Sequence, residues 1–251
     1  MIVTSKTDVG KVRTNNEDSI LVDAERGIFL LADGMGGHNA GEVASKIAVE
    51  SVHDFLKDTI VNTENDEEIL RILDAAVMKA HEAIKEKAES DINLRGMGTT
   101  LVVLVIKNEK AYVCHAGDSR AYLLRDSLQQ LTKDHTMGEY LVGQKIMPRE
   151  QVPPQQWHML RQAVGIGNAP AADKKYVDLK MGDLILVCSD GLTDMLTDEE
   201  IAAILKKASF PLVGNPSEER LRASRSDKSG SHSSNINELA DSLVAEANKK
   251  G

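Results

Sequence analysis

The sequence predicts an α+β fold in which helices pack outside antiparallel β-structure. Short apolar runs joined by tight turns indicate hairpins, and two long amphipathic stretches follow one another directly. The strict alternation of strand and helix that is typical of parallel sheets does not occur. The glycine-rich loop Gly34-Met35-Gly36-Gly37 has neither the spacing of a dinucleotide fingerprint nor that of a Walker A loop. The pattern therefore argues against a Rossmann-type sheet.

The N-terminal third is predicted to hold one hairpin and two helices. Residues 19–23 and 27–32 are apolar runs separated by a short turn, and the glycine-rich loop of residues 33–38 follows them. Apolar residues then recur at helical spacing, which predicts helices over about residues 41–56 and 66–90.

The middle of the chain returns to strands. These are predicted over residues 99–106, 111–115, 121–124, 128–131 and 184–188. Residues 136–165 are less regular, because Pro148, Pro153 and Pro154 interrupt any long element.

The C-terminal part combines two helices with a compositionally distinct segment. Thr197 and Glu200 have the spacing of a capping box, which predicts a helix start at this point. Residues 209–234 are rich in Ser and Arg and lack apolar periodicity, so we expect a flexible insertion there. Helical spacing resumes over residues 237–247, and residues 1–251 are interpreted as a single domain.

Composition narrows the class of protein. A net charge of −9 and only 3% aromatic residues argue against a nucleic-acid-binding surface. Cys114 and Cys188 each lie in an apolar run, so we expect two buried, reduced thiols. No signal peptide and no bilayer-spanning run is recognisable, which predicts a cytoplasmic protein that does not associate with membranes, and we expect a monomer.

Acidic residues follow three strongly apolar runs. Asp33, Asp118 and Asp190 each come directly after such a run and one or two small residues, and Glu17-Asp18 precedes the first strand. Each Asp alone is equally typical of an ordinary turn, and Asp118 near Arg120 could form a surface ion pair. Several carboxylates gathered at one sheet edge, without His or Cys ligands, would suit Mg²⁺ or Mn²⁺.

A guanidinium completes this arrangement. Arg13 lies four residues before Glu17, and the planar fork of an arginine beside an acidic metal site can hold two oxygens of a phosphoryl group. Taken alone, a solvated surface arginine would be the simpler interpretation.

Six motifs in order resemble those of bacterial PP2C (PPM) serine/threonine protein phosphatases. They are GKVRTNNEDS (10–19), ADGMGGHNAGEVAS (32–45), GMGTTLVVL (96–104), HAGDSRAYLL (115–124), LTKDHT (131–136) and VCSDGLTDMLTDEEI (187–201). The resemblance implies a β-sandwich of two antiparallel sheets flanked by helices, with four layers in the order α/β/β/α. It also implies hydrolysis of phosphoserine and phosphothreonine in proteins, with phosphorylated substrates of a serine/threonine kinase as partners.

The resemblance assigns roles to particular residues. Asp33 would bridge two Mn²⁺ or Mg²⁺ ions, with Asp18, Asp190 and the Gly34 carbonyl in the same centre, and Asp118 would help to hold a third, weaker ion. A water bridging the ions would be the nucleophile. The other roles fall on Arg13 as the phosphate ligand, His38 as candidate acid for the leaving oxygen, Glu17 and Asp194 as secondary residues, and residues 136–165 as the flap.

The chain departs from the family pattern near its C-terminal end. Family members carry a further Gly-x-Asp-Asn motif and an apolar strand after the last helix, and no residue here matches that metal-binding aspartate. Two alternatives stay open on sequence alone: a working phosphatase, or a weakly active or inactive phosphatase-like module that binds phosphopeptides or regulates a partner. The Ser/Arg-rich insertion is either a docking segment or a solvated loop.

Overall fold

The computed structural model describes residues 1–37, 40–207 and 229–251, with the side chains of residues 229–234 left aside. The strands are β1 (Asp18–Asp23), β2 (Ile28–Met35), β3 (Gly98–Thr99), β4 (Leu101–Lys107), β5 (Lys110–Ala116), β6 (Arg120–Leu124), β7 (Leu128–Gln130), β8 (Asp173–Asp178) and β9 (Leu184–Cys188). The helices are α1 (Ala40–Thr59), α2 (Asp66–Ser90), α3 (Met137–Gly143), α4 (Pro154–Trp157), α5 (Asp190–Thr193), α6 (Asp198–Leu205) and α7 (Ser229–Lys250). Short 3₁₀ turns cover Ile92–Leu94 and Arg149–Gln151.

The strands form two antiparallel sheets, which confirms the predicted architecture. The larger sheet has the order β1-β2-β4-β5-β8, with β3 also paired to β2, and the smaller sheet has the order β7-β6-β9. Among the described residues every named strand pair is antiparallel.

Side chains that point alternately to the two faces of each sheet divide the core into layers. In β4, Val103 and Val105 pack towards α1 and α2, whereas Val102 and Leu104 join a cluster between the two sheets. Leu123 of β6 belongs to that inter-sheet cluster, and its neighbour Leu124 packs with α6 and α7 on the far side. Because successive side chains of a strand point to opposite faces, these three clusters define four layers in the order α/β/β/α.

Side chains cap the starts of two helices. The Asn65 side chain accepts the Glu68 backbone N–H at the start of α2. At the start of α6 the Thr197 hydroxyl accepts the Glu200 N–H at 3.3 Å, and the Glu200 carboxylate accepts the Thr197 N–H at 2.9 Å. The capping box is therefore confirmed.

Three elements differ from the sequence-based expectation. Strand β8 was not predicted, because its sequence DKKYVD is charged and mostly exposed at the sheet edge. The run expected over residues 99–106 is divided into β3 and β4 at Thr100. Helix α7 begins at Ser229, so the last part of the expected insertion is helical, and its residues 209–228 lie outside the described residues.

Both cysteines are free and buried, as expected. Burial raises the pKa of each thiol to about 12, so both stay protonated and unreactive near neutral pH. None of the described helices combines the length and apolar character that crossing a bilayer requires.

Candidate metal centre

The ends of β1 and β2 bring two of the expected carboxylates together. Asp18 opens β1 and lies directly opposite Asp33 in the antiparallel register. Side chains of directly opposed strand residues point to the same face, so both carboxyls enter the same space at one end of the sandwich.

The smaller sheet supplies the third carboxylate. Strand β9 ends at Cys188, and Asp190 follows as the first residue of α5. The Ser189 hydroxyl donates to Asp18 Oδ2 at 2.9 Å, which ties the end of β9 to the start of β1. Sequence reasoning did not assign Ser189 a role, because a serine between a strand and Asp-Gly carries no distinguishing signal.

The acidic groups raise one another's pKa values. Burial, the charges of Asp190 and Asp18, and a hydrogen-bonding contact with Asp190 raise the pKa of Asp33 to about 9. Burial, followed by the charge of Asp190, raises the pKa of Asp118 to about 7. Burial also raises the pKa of Asp18, although the Ser189 hydrogen bond opposes that shift. Half-buried carboxyls that disfavour one another's ionisation are the donor set that a divalent cation would stabilise.

Asp118 reaches the cluster from the connection between the two sheets. It follows β5 and precedes β6. Its expected alternative, a surface ion pair with Arg120, is wrong: Arg120 instead holds Asp134 through its Nε at 2.9 Å and its Nη2 at 2.6 Å. The Asp118 carboxyl is thus left for the acidic cluster.

Close backbone packing fixes the loop after β2. The Gly34 N–H donates to the Glu17 carbonyl at 3.0 Å. A Cβ on Gly34 would lie 2.0 Å from the Gly41 carbonyl oxygen, and one on Gly41 would lie 2.7 Å from the Glu17 carboxyl carbon. Only glycine fits at both positions, so the start of α1 is held against the acidic strand ends.

Arg13 and Asp194, two further predicted residues, each contact a residue of the acidic region. Arg13 is exposed, with a guanidinium nitrogen 4.0 Å from the Glu17 carboxylate. Asp194 donates its backbone N–H to the Asp190 carbonyl at 2.8 Å, and its carboxylate lies 3.6 Å from His158 Nδ1. His158 was not singled out from the sequence. His38 lies outside the described residues.

A cavity of about 1280 Å³ opens at the acidic cluster. Its lining includes Arg13, Asp18, Asp33, Asp190 and Asp194. Beyond them the wall is formed by apolar side chains of both sheets and of α7, including Leu31, Leu104, Leu186 and Leu243.

A second group of ligand-type side chains does not form a metal centre. One ligand atom each from His115, His135 and Asp173 lies within 4.8 Å of the other two. The two imidazole rings, however, are stacked, with centroids 4.6 Å apart and planes inclined by 21°. Ring nitrogens bind a metal within the ring plane, so nearly parallel stacked rings cannot both face one ion. His115 Nε2 instead donates to the Lys133 carbonyl at 2.8 Å, in agreement with a structural role.

Comparison with known proteins identifies relatives of this arrangement. The family described as Protein phosphatase 2C matches residues 10–228. The serine/threonine phosphatase stp of Listeria monocytogenes is 37% identical over 206 residues, which cover 80% of this chain and 81% of that protein. The serine/threonine protein phosphatase PstP of Mycobacterium tuberculosis is 39% identical over 208 residues, but this chain spans only 38% of its length.

Solved structures show the same fold. The crystal structure of M. tuberculosis PstP has a TM-score of 0.75 and 33% identity, covering 98% of this chain and 92% of that chain. The catalytic domain of PstP in complex with two manganese ions has a TM-score of 0.73 and 32% identity, with the same coverage. With its acidic cluster, its two sheets and the match over residues 10–228, the chain belongs to the protein phosphatase 2C family of metal-dependent serine/threonine phosphatases.

Proposed function

We propose that this chain hydrolyses phosphoserine and phosphothreonine in proteins, using Mn²⁺ or Mg²⁺ held by its acidic cluster. The observation that carries the proposal is the convergence of Asp18, Asp33, Asp118 and Asp190, whose mutual repulsion a divalent cation would relieve. The relatives named as phosphatases support it, and they do not favour the alternative of an inactive module.

Each acidic residue has a role in this proposal. Asp18, Asp33, Asp190 and the Gly34 carbonyl would hold two ions, and Asp118 would hold a third. The oxygen-only donor set fits hard divalent cations. When bound, such ions lower the pKa of a coordinated water and offset charge on phosphoryl oxygens.

Arg13 is the proposed phosphate ligand. Its side chain is 67% exposed and lies only 4.0 Å from Glu17, so it is oriented by a carboxylate yet free to meet a substrate. A guanidinium can donate two parallel hydrogen bonds to phosphate oxygens. Because the proposed nucleophile is water, we expect no covalent phosphoenzyme, and neither of the two buried, protonated cysteines need react.

Residues 136–165 are the proposed flap over the centre. Within them α3 and α4 pack together, and a Cβ on Gly138 would lie 2.5 Å from the Trp157 ring. His158 extends from this segment to Asp194, so the flap touches the acidic side of the cavity. We propose that His158 places a polar group beside Asp194, while His38, which lies outside the described residues, keeps its predicted role as acid for the leaving oxygen.

The biological setting is proposed from the reaction class. The substrates would be phosphoproteins modified by a serine/threonine kinase, and the chain would act as a monomer. Its two unpaired, buried cysteines are compatible with the reducing cytoplasm.

The test is hydrolysis of a phosphothreonine peptide by the chain with Mn²⁺, with EDTA and with Asp33→Asn. The matched control is Asp178→Asn, which changes an exposed carboxylate at the end of β8. We expect turnover that needs Mn²⁺, that Asp33→Asn abolishes and that Asp178→Asn leaves unchanged. Turnover that persists in EDTA or in Asp33→Asn would contradict the proposal, as would a folded, Mn²⁺-loaded chain without turnover.

A further inference from the structure

A hydroxyl replaces a carbonyl in the strand ladder beside Asp33. The register pairs Leu31 with Val102 and Gly34 with Thr99, which places Thr100 directly opposite Asp33. The Thr100 N–H donates to the Asp33 carbonyl at 2.8 Å, as in an ordinary antiparallel pair. The Asp33 N–H, however, donates to Thr100 Oγ1 at 3.0 Å instead of to the Thr100 carbonyl.

The same hydroxyl reaches the loop that carries Asp118. Thr100 Oγ1 lies 2.7 Å from the hydroxyl of Ser119, the residue that follows Asp118. Thr100 is 3% exposed and Ser119 is 1% exposed, so water does not compete for this bond. Gly117, at a φ of +113°, is so close that a Cβ there would lie 2.7 Å from the Thr100 Cβ.

Thr100 therefore connects two strand ends that bear candidate metal ligands. One is the end of β2, an inner strand of the larger sheet, and the other is the connection from β5 to the smaller sheet. A hydroxyl has one proton and two lone pairs, so it can accept from a backbone N–H and still bond a second hydroxyl. Valine has the same shape but would leave both partners without this bond.

We propose that Thr100 is a positioning residue that fixes the separation of Asp33 and Asp118, with Ser119 as its partner. The inference rests on the proposed function, because it takes these two carboxylates to be metal ligands. Hydrogen-bond partners of metal ligands typically contribute 10–100-fold to metal affinity or activity. The simpler alternative is that the two hydroxyls only satisfy buried polar groups and contribute to folding.

A second buried threonine provides the matched control. Thr132 is 6% exposed, and its Oγ1 accepts the Ala121 N–H at 3.1 Å. This bond is also threonine to backbone, but neither partner is a candidate metal ligand. Thr100→Val and Thr132→Val therefore each remove a buried bond to a backbone N–H. Thr100→Val also removes the bond to Ser119, and only Thr100 lies beside the acidic cluster.

The experiment measures Mn²⁺ affinity by isothermal titration calorimetry and Tm in EDTA for wild type, Thr100→Val, Thr100→Ser and Thr132→Val. We expect both valine variants to lower Tm, Thr100→Val by more because it removes two hydrogen bonds, whereas Thr100→Val alone loses about 10–100-fold in Mn²⁺ affinity. Thr100→Ser retains the hydroxyl and should recover most of that affinity. If Thr100→Val fails to fold, Ser119→Ala breaks the other end of the link and should weaken Mn²⁺ binding in the same direction.

Several outcomes would overturn the inference. The first is an unchanged Mn²⁺ affinity in Thr100→Val or, if that variant does not fold, in Ser119→Ala. The second is a loss of Mn²⁺ affinity in Thr132→Val equal to that in Thr100→Val. The third is a Thr100→Ser variant that recovers no Mn²⁺ affinity. If the wild type binds Mn²⁺ but does not hydrolyse a phosphopeptide, the proposed function fails while the affinity comparison still decides the role of Thr100. A wild-type chain that binds no Mn²⁺ would overturn both.

Discussion

Replacing Asp33 by asparagine should stabilise the metal-free protein while it removes activity. Burial and neighbouring carboxylates raise the pKa of Asp33 from an ordinary 3.8 to about 9. A carboxyl whose pKa is raised by folding contributes its full stability below the unfolded value and loses it as the pH rises through the folded value. The penalty on the metal-free protein therefore grows from about pH 4 to about pH 9 and persists above it, whereas asparagine does not titrate.

The size of the effect follows from the pKa difference. At pH 8 the pH lies about 4 units above the unfolded-state pKa of 3.8, and each unit corresponds to about 1.4 kcal/mol. The largest destabilisation that Asp33 can cause is therefore roughly 6 kcal/mol. Because the asparagine amide must itself be hydrogen-bonded, we expect a net gain of about 2 kcal/mol in the free energy of unfolding. For a chain of this length that corresponds to a rise in Tm of roughly 4–8 °C.

Thermal unfolding in EDTA at pH 5 and pH 8 tests this expectation. The Tm difference between Asp33→Asn and wild type should be larger at pH 8, and added Mn²⁺ should raise the Tm of wild type only. Asp183→Asn is the control of opposite sign, because a hydrogen bond from Arg125 lowers the pKa of Asp183 and the substitution should destabilise the protein. A variant no more stable than wild type at pH 8, or a difference that does not grow with pH, would refute the electrostatic reasoning.

Three further substitutions test other parts of the structure. Arg13→Lys should lower kcat/KM for a phosphopeptide roughly tenfold or more, because a lysine cannot donate two parallel hydrogen bonds, whereas the surface control Arg26→Lys should not. Gly41→Ala should cost about 1–3 kcal/mol of stability, since its Cβ would lie 2.9 Å from the backbone carbonyl carbon of Gly34. Gly37→Ala should cost little, because among the described residues beyond its chain neighbours no atom lies within 4 Å of its Cβ. Thr197→Ala removes the cap of α6 and should lower stability by about 1 kcal/mol, or roughly 2–4 °C in Tm.

Each of these has a clear contradicting result. Equal kinetics for the Arg13 and Arg26 variants would remove Arg13 from the phosphate site. Equal unfolding temperatures for the Gly41 and Gly37 variants would mean that the start of α1 yields to a methyl group. An unchanged Tm for Thr197→Ala would show that α6 is held by its packing alone.

The sequence predicted those elements whose signals are local. The hairpin β1–β2, the helices α1 and α2 and the capping box at Thr197 all follow from apolar spacing or from short motifs. Strand β8 was missed because an edge strand needs little apolar surface, and its partner β5 is more than fifty residues away in the chain. The division of β3 from β4 depends on the Thr100 side chain facing Asp33, a contact that no local pattern reveals.

In the candidate site, too, local features were predictable from the sequence and long-range contacts were not. Three acidic residues at strand ends were recognisable because each follows an apolar run, and the structure brings them to one end of the sandwich. Their supporting contacts were not recognisable. Ser189 reaches Asp18 across 171 positions of sequence, and His158 meets Asp194 only through the fold of residues 136–165. Such contacts depend on tertiary packing, which residue type and spacing alone do not specify.

The connection Gly117–Ser119 makes the acidic cluster sensitive to how the two sheets lie on one another. It leads from the larger sheet to the smaller one within a few residues and carries Asp118 at its centre. Sliding one sheet over the other by a fraction of an ångström would therefore change the spacing between Asp118 and Asp33. If Asp33 and Asp118 hold ions as proposed, the apolar residues between the sheets, such as Val102 and Leu123, would influence the preference between ions, because Mg²⁺ demands shorter and more regular contacts than larger cations. Methyl groups that touch no ion would then contribute to the selectivity of the proposed centre.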